Sequence, residues 1–225
     1  MSSHPFRLGR LAGATLAAAG AVFIAVQINH PPLTLELVGT REFVLRESAK
    51  IVMAGLALTG ITTLTVWHGR RFGLFGRLSA ALFGAGYLAM LCVQTIAALV
   101  LPAIAATSPD YVRSVLAAAK GGQAATDIGG IQVLLTLSGI GYLVGGLLFG
   151  IALFRAGVVA RWAGALLAVA TTSTVALAVL PEFFARVLAI PTGIAFLGIG
   201  WSAWRSATRP STDVTDGVRV AQGVR

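Results

Sequence analysis

Long apolar runs alternate with short polar segments along the chain. Six runs are long enough to cross a bilayer core of about 30 Å, which needs about 20 apolar residues per helix. They fall near 9–28, 48–67, 78–101, 130–154, 158–180 and 184–204. The pattern predicts an all-α, polytopic membrane helical bundle: six transmembrane helices over residues 1–204, then a polar, aperiodic tail over 205–225 expected to be disordered and cytoplasmic. Arg7 and Arg10 precede the first run as in a signal peptide. That run continues through Val22 and Ile28 without a polar break, so it is read as an uncleaved helix.

Two segments between the runs carry structure of their own. Pro31 and Pro32 end the first helix, and Glu42 and Arg46 at i,i+4 place the start of the next near Thr40. Ser108-Pro109-Asp110 reads as an N-cap, a proline at the first helical position and an acid in the first turn. Val112, Val115, Leu116 and Ala119 then recur at helical spacing, and Gly121-Gly122 stops the turn. A short amphipathic helix on the outer surface is expected, offering Arg113 and Lys120 as a lid over the bundle or a partner surface.

Composition agrees with a membrane protein. Hydrophobic residues are 56% of the chain and charged residues 11%, against about 25% charged in soluble domains. The formal net charge of +9 would suggest nucleic acid in a polar chain. Sorted by segment, the excess is topological. With the N-terminus inside, eleven of the 17 Lys and Arg fall on inner segments, among them Arg70, Arg71, Arg77, Arg155 and Arg161. Six of the eight acids fall outside, leaving the outer face formally neutral. Trp67, Trp162, Trp201 and Trp204 all sit at predicted inner ends, where indoles favour the interface. The expectation is a bacterial cytoplasmic (inner) membrane with both termini cytoplasmic, membrane lipids as partners and no nucleic acid.

Chemical motifs are sparse. There is one cysteine, Cys92, and no nucleotide-loop or His-Glu-x-x-His signature; no cofactor and no metal are predicted. No predicted span has a charged residue in its middle, unlike proton and ion relays. The outer charges Glu36, Arg41, Glu42, Arg46 and Glu47 read as a solvated salt-bridge face, with a catalytic carboxylate pair as the sharper alternative. Gln94, Gln132, Thr136, Thr171 and Thr192 lie in the outer halves or near the midplane of their helices. Together they could line a cavity open to the outside; the plainer reading has Thr hydroxyls bonding back to their own helices and Gln stapling neighbours. Gly141-x-x-x-Gly145 and Gly146-x-x-x-Gly150 allow close helix approach, marking the fourth helix as central or as a homodimer seam. A faint repeat at a spacing of 84 aligns Gly73 and Arg77 with Gly157 and Arg161.

His30-Pro31-Pro32 through Val38-Gly39-Thr40, the run Gly145 to Gly157 followed by Arg161-Trp162-Ala163, and Ile190-Pro191-Thr192-Gly193 carry a family likeness. On these the chain resembles small six-pass integral membrane proteins of unknown function common in actinobacteria. The resemblance implies architecture and location, and no activity. The functional expectation is a non-enzymatic binding or accessory component with a membrane protein partner, acting through outer loops or helix faces. The alternative is a small transporter or a lipid- or hydrophobic-ligand-binding protein with an outward-open cavity.

Overall fold

The computed structural model describes residues 4–28, 32–173 and 182–208, and among them every element is helical. The helices are α1 (His4–Gln27), α2 (Leu35–Val38), α3 (Arg41–Thr95), α4 (Leu101–Ile104), α5 (Pro109–Ala119), α6 (Gly130–Ile140), α7 (Gly146–Ala156), α8 (Arg161–Thr172) and α9 (Glu182–Thr208). A π turn at Ile96–Val100 joins α3 to α4, just ahead of Pro102, which has no N–H to give the preceding turn. A second π turn at Gly141–Gly145 joins α6 to α7.

Among the described residues, three stretches are long and apolar enough to cross a membrane: Phe6–Gln27, Arg41–Ile104 and Gly130–Ala156. The six expected spans are therefore not present as six separate helices of that kind. Expected spans two and three fall in one 64-residue stretch. α8 has 12 residues, and the rest of expected span five, 174–180, lies outside the described residues. The expected tail starts late, because Arg205 to Thr208 belong to α9; residues 209–225 lie outside the described residues.

The 64-residue stretch is folded in two. Its helical geometry breaks at His68 (φ −109°, ψ 16°) and at Gly73 (φ 59°, ψ −164°), a backbone that side chains with a Cβ rarely adopt. In a straight helix residues 55 and 91 would be about 54 Å apart. Instead a Cβ on Gly55 would lie 3.9 Å from Leu91 Cδ1, and one on Gly84 3.4 Å from Leu58 Cδ1. The Arg77 Nε donates to Gly69 O at 3.0 Å across the bend. The two arms of α3 are thus antiparallel. Gly157, the repeat partner of Gly73, also has positive φ (60°) and turns the chain between α7 and α8.

The rods close into a ring. α1 packs between α9 and α3, α8 between α7 and α9, and α6 and α7 against α3. Glycines make the seams. A Cβ on Gly200 would lie 2.6 Å from Gly13 O, and one on Gly20 2.5 Å from Gly193 O, so α1 and α9 run antiparallel in backbone contact. Inside the ring, Phe23, Phe72, Phe83, Tyr87, Tyr142, Phe149 and Phe196 are buried together, with ring centroids 5.0 to 6.5 Å apart for the stacked and edge pairs among them.

A second, smaller core caps one end of the ring. Val38, Phe43, Leu101, Val112, Val115, Leu116 and Ile128 form it. Thr40 starts α3 as expected: its Oγ1 accepts from Phe43 N–H at 3.3 Å and donates to Leu37 O at 2.7 Å. Pro109 opens α5, but Ser108 makes no side-chain cap bond, its backbone being outside the usual cap conformation (φ −137°, ψ 56°). Gly122 N–H reaches Ala117 O and Gly121 N–H reaches Ala118 O, closing α5 with a Schellman motif. Val112, Val115 and Leu116 are buried while Ala119 is exposed. α5 therefore shares a core with α2 and the ends of α3 and α6.

Candidate functional site

The cap carries a cleft of about 340 Å³, open between α2 and α5. Leu33, Leu35 and Leu116 give it an apolar floor, and Glu36, Arg113 and Lys120 put both signs of charge on its rim. Arg113 is also paired with Asp110 at 2.6 Å on the exposed side of α5. The exposed Glu36 carboxyl is held below its ordinary range by hydrogen bonds to its own backbone and to Thr34, with Arg113 adding attraction. An apolar floor rimmed by mixed charge suits an amphipathic partner segment.

The cap is tied to the bundle by ionic groups on the first two turns of α3. Arg46 pairs with Glu42 at 3.0 Å and donates to Ile28 O at 2.8 Å, satisfying a carbonyl at the C-terminal end of α1. Glu47 corrects the expectation of a solvated charge face. It is 2% exposed and bonds Lys50 Nζ at 2.6 Å. Phe43, Glu47 and Ala54 lie on one buried side of α3, and Phe43 belongs to the cap core while Ala54 belongs to the bundle core. The ion pair therefore sits at the junction of the two cores. Sequence reasoning grouped Glu47 with its charged neighbours; its spacing of four from Phe43 and seven to Ala54 was the available signal.

The five polar positions expected to line a cavity lie on different surfaces. Gln132 and Thr136 are exposed on α6, and Thr136 Oγ1 donates to Gln132 O at 2.8 Å. Gln94 is half-buried on the second arm of α3. Thr171 is fully buried and donates to Leu167 O at 2.9 Å. Thr192 is fully buried and shares a hydrogen bond of 2.8 Å with Tyr142 Oη. Tyr142 joins helices 50 residues apart in sequence, and sequence reasoning missed it along with Tyr87, whose buried hydroxyl has no hydrogen-bond partner. Neither tyrosine has a polar sequence neighbour to flag it.

The four glycines of the central helix face two neighbours. A Cβ on Gly145 would lie 2.6 Å from Phe83 Cα, and one on Gly141 would collide with Gly86 Cα. Gly146 meets Thr171, and a Cβ on Gly150 would lie 2.7 Å from Gly164 O. All four are covered by helices of the same chain, so none is free to form a seam with a second copy.

The end opposite the cap gathers the indoles and most of the guanidinium groups. Trp67 and Ala207 both meet Gly9, Ala160 N–H donates to Ser202 Oγ at 2.9 Å, and Arg10 lies 5.9 Å over the Trp204 ring. Among the described residues, no three His, Cys, Asp or Glu side chains group as a metal site would require. The chain matches no protein family model, no curated protein and no solved structure.

Proposed function

We propose that the chain crosses a bacterial cytoplasmic membrane six times, with both termini inside, and serves as a non-enzymatic binding or accessory component through its cap. That location is the one implied by the resemblance to six-pass actinobacterial membrane proteins. Antiparallel rods support this reading: α1, the two arms of α3, α6 with α7, and α9, with the 12-residue α8 packed between α7 and α9. α9 follows α1 in backbone contact from Gly193 to Gly200, so a bilayer crossed by one is crossed by the other. The basic end carries Arg7, Arg10, Arg70, Arg71, Arg77, Arg155, Arg161 and Arg205, against Arg41, Arg46, Lys50, Arg113 and Lys120 at the cap, the direction the charge rule for inner loops favours.

The observation that carries the binding role is the cap cleft, with a floor of leucines and a rim of mixed charge on a separately cored module. A transport reading would need a path past Phe83, Tyr87, Phe149 and Phe196, which fill the ring interior. A photo-crosslinking side chain at Ala117 tests the role in native membranes. One stoichiometric protein adduct is expected, lost on Arg113→Glu with Lys120→Glu. Lipid adducts alone, or the same adduct from exposed Val133 on α6, would contradict it.

A further inference from the structure

We propose that the two hairpin tips at the arginine end form one binding surface for anionic phospholipid headgroups. This rests on the membrane reading above but not on the role of the cap. The first tip is the bend between the arms of α3, carrying Arg71 and Arg77 beside the exposed Arg70; the second joins α7 to α8, carrying Arg155 and Arg161. The tips are neighbours, because the Arg155 guanidinium lies 6.0 Å over the Phe75 ring. Arg77 is fixed across its own tip through Gly69 O at 3.0 Å, and Arg161 lies 5.9 Å over Phe154. All four arginines are exposed.

Among the described residues no acidic side chain pairs with these arginines. The three ion pairs among the described residues all belong to the cap end. Guanidinium groups bind phosphate oxygens by paired, charge-assisted hydrogen bonds, so an unneutralised cluster of four calls for a phosphate-bearing partner. The immediate surroundings select which one. Leu74 is 73% exposed, Leu78 61% and Trp162 55%, beside or within two residues of the arginines or phenylalanines of the tips. Nucleic acid or an acidic peptide would leave those side chains in water. A phospholipid covers them with acyl chain while its phosphate meets the arginines.

The test uses the full chain extracted from membranes in a non-ionic detergent, with phosphatidylglycerol or phosphatidylcholine added and bound lipid read by native mass spectrometry. Wild type is expected to retain phosphatidylglycerol at least about tenfold in preference, each arginine near the surface contributing about fivefold. Arg71→Gln, Arg77→Gln, Arg155→Gln and Arg161→Gln combined should abolish the preference, while Arg41→Gln with Arg113→Gln at the cap should keep it. If the combined variant is not monodisperse, Arg71→Gln and Arg77→Gln singly should each lower the preference about fivefold. Equal retention of both lipids by wild type, an undiminished preference in the tip variants, or loss of the preference to equimolar inorganic phosphate would overturn the proposal. A chain that stays soluble without detergent would overturn the membrane reading and this proposal together.

Discussion

Removing one partner of the Glu47–Lys50 pair should cost more than any other single change in charge. Glu47 is 2% exposed, and the Lys50 side chain is 14% exposed, with 2.6 Å between the charged atoms. Burial of this depth deprives an orphaned charge of water, and breaking a buried pair typically costs about 3–5 kcal/mol. The two partners are not equivalent. Lys50 is the more exposed and can swing its ammonium toward water along a flexible stem. Glu47→Gln should therefore fall at the low end of that range and Lys50→Met at the high end, because Lys50→Met strands the carboxylate. Replacing both, Glu47→Leu with Lys50→Met, removes the charges from the junction and should recover most of the loss. Unfolding by increasing sodium dodecyl sulfate in mixed micelles, followed by far-ultraviolet circular dichroism, gives all three free energies and the coupling between the sites. Single variants within about 1 kcal/mol of wild type, or a double variant as unstable as their sum, would refute the placement of this pair.

Other substitutions separate packing from mere composition. Gly141→Ala should destabilise by about 1–3 kcal/mol, since its Cβ collides with Gly86, whereas Gly139→Ala, with nothing within 4 Å, should stabilise by up to about 1 kcal/mol through helix propensity. Thermal unfolding in detergent would show both, and equal effects would contradict the seam. Tyr142→Phe should cost about 0.6–1.7 kcal/mol through the lost Thr192 bond, while Tyr87→Phe should be neutral or stabilising, because its hydroxyl has no partner to lose. His68, at the bend of α3, is held down to about 4 by burial first and by Arg71 second. Its neutral form favours the fold, so its contribution is complete above about pH 6.5 and is lost progressively as pH falls from there toward 4. His68→Gln should flatten the decline in thermal stability between pH 7.5 and 5; an unchanged slope would assign it to other groups.

Local signals in the sequence read through to the structure where one residue decides one turn. Thr40, Pro109 and Gly121 each act within four residues of themselves, and the helix edges they mark follow. Signals that depend on a distant partner did not read through. Gly13 and Gly20 are seven apart, as are Gly193 and Gly200, but only the fold reveals that they pair antiparallel. Thr136 and Thr171 find acceptors one helical turn back, so their hydroxyls need no shared cavity. Glu47 was hidden by its neighbours, because an average over Glu42 to Lys50 looks solvated while one face of that segment is buried. The gap expected between the spans 48–67 and 78–101 is where α3 bends, and that bend rests on His68 and Gly73, two residues in 64.

The central claim is that the cap and the arginine tips lie on opposite sides of a bilayer. Single cysteines at Arg113 and at Arg77, each in a Cys92→Ala background, can be challenged with a membrane-impermeant maleimide on intact cells. The account predicts that Arg113→Cys is labelled at once and Arg77→Cys only after permeabilisation. Labelling of both from outside, or of Arg77→Cys alone, would contradict it.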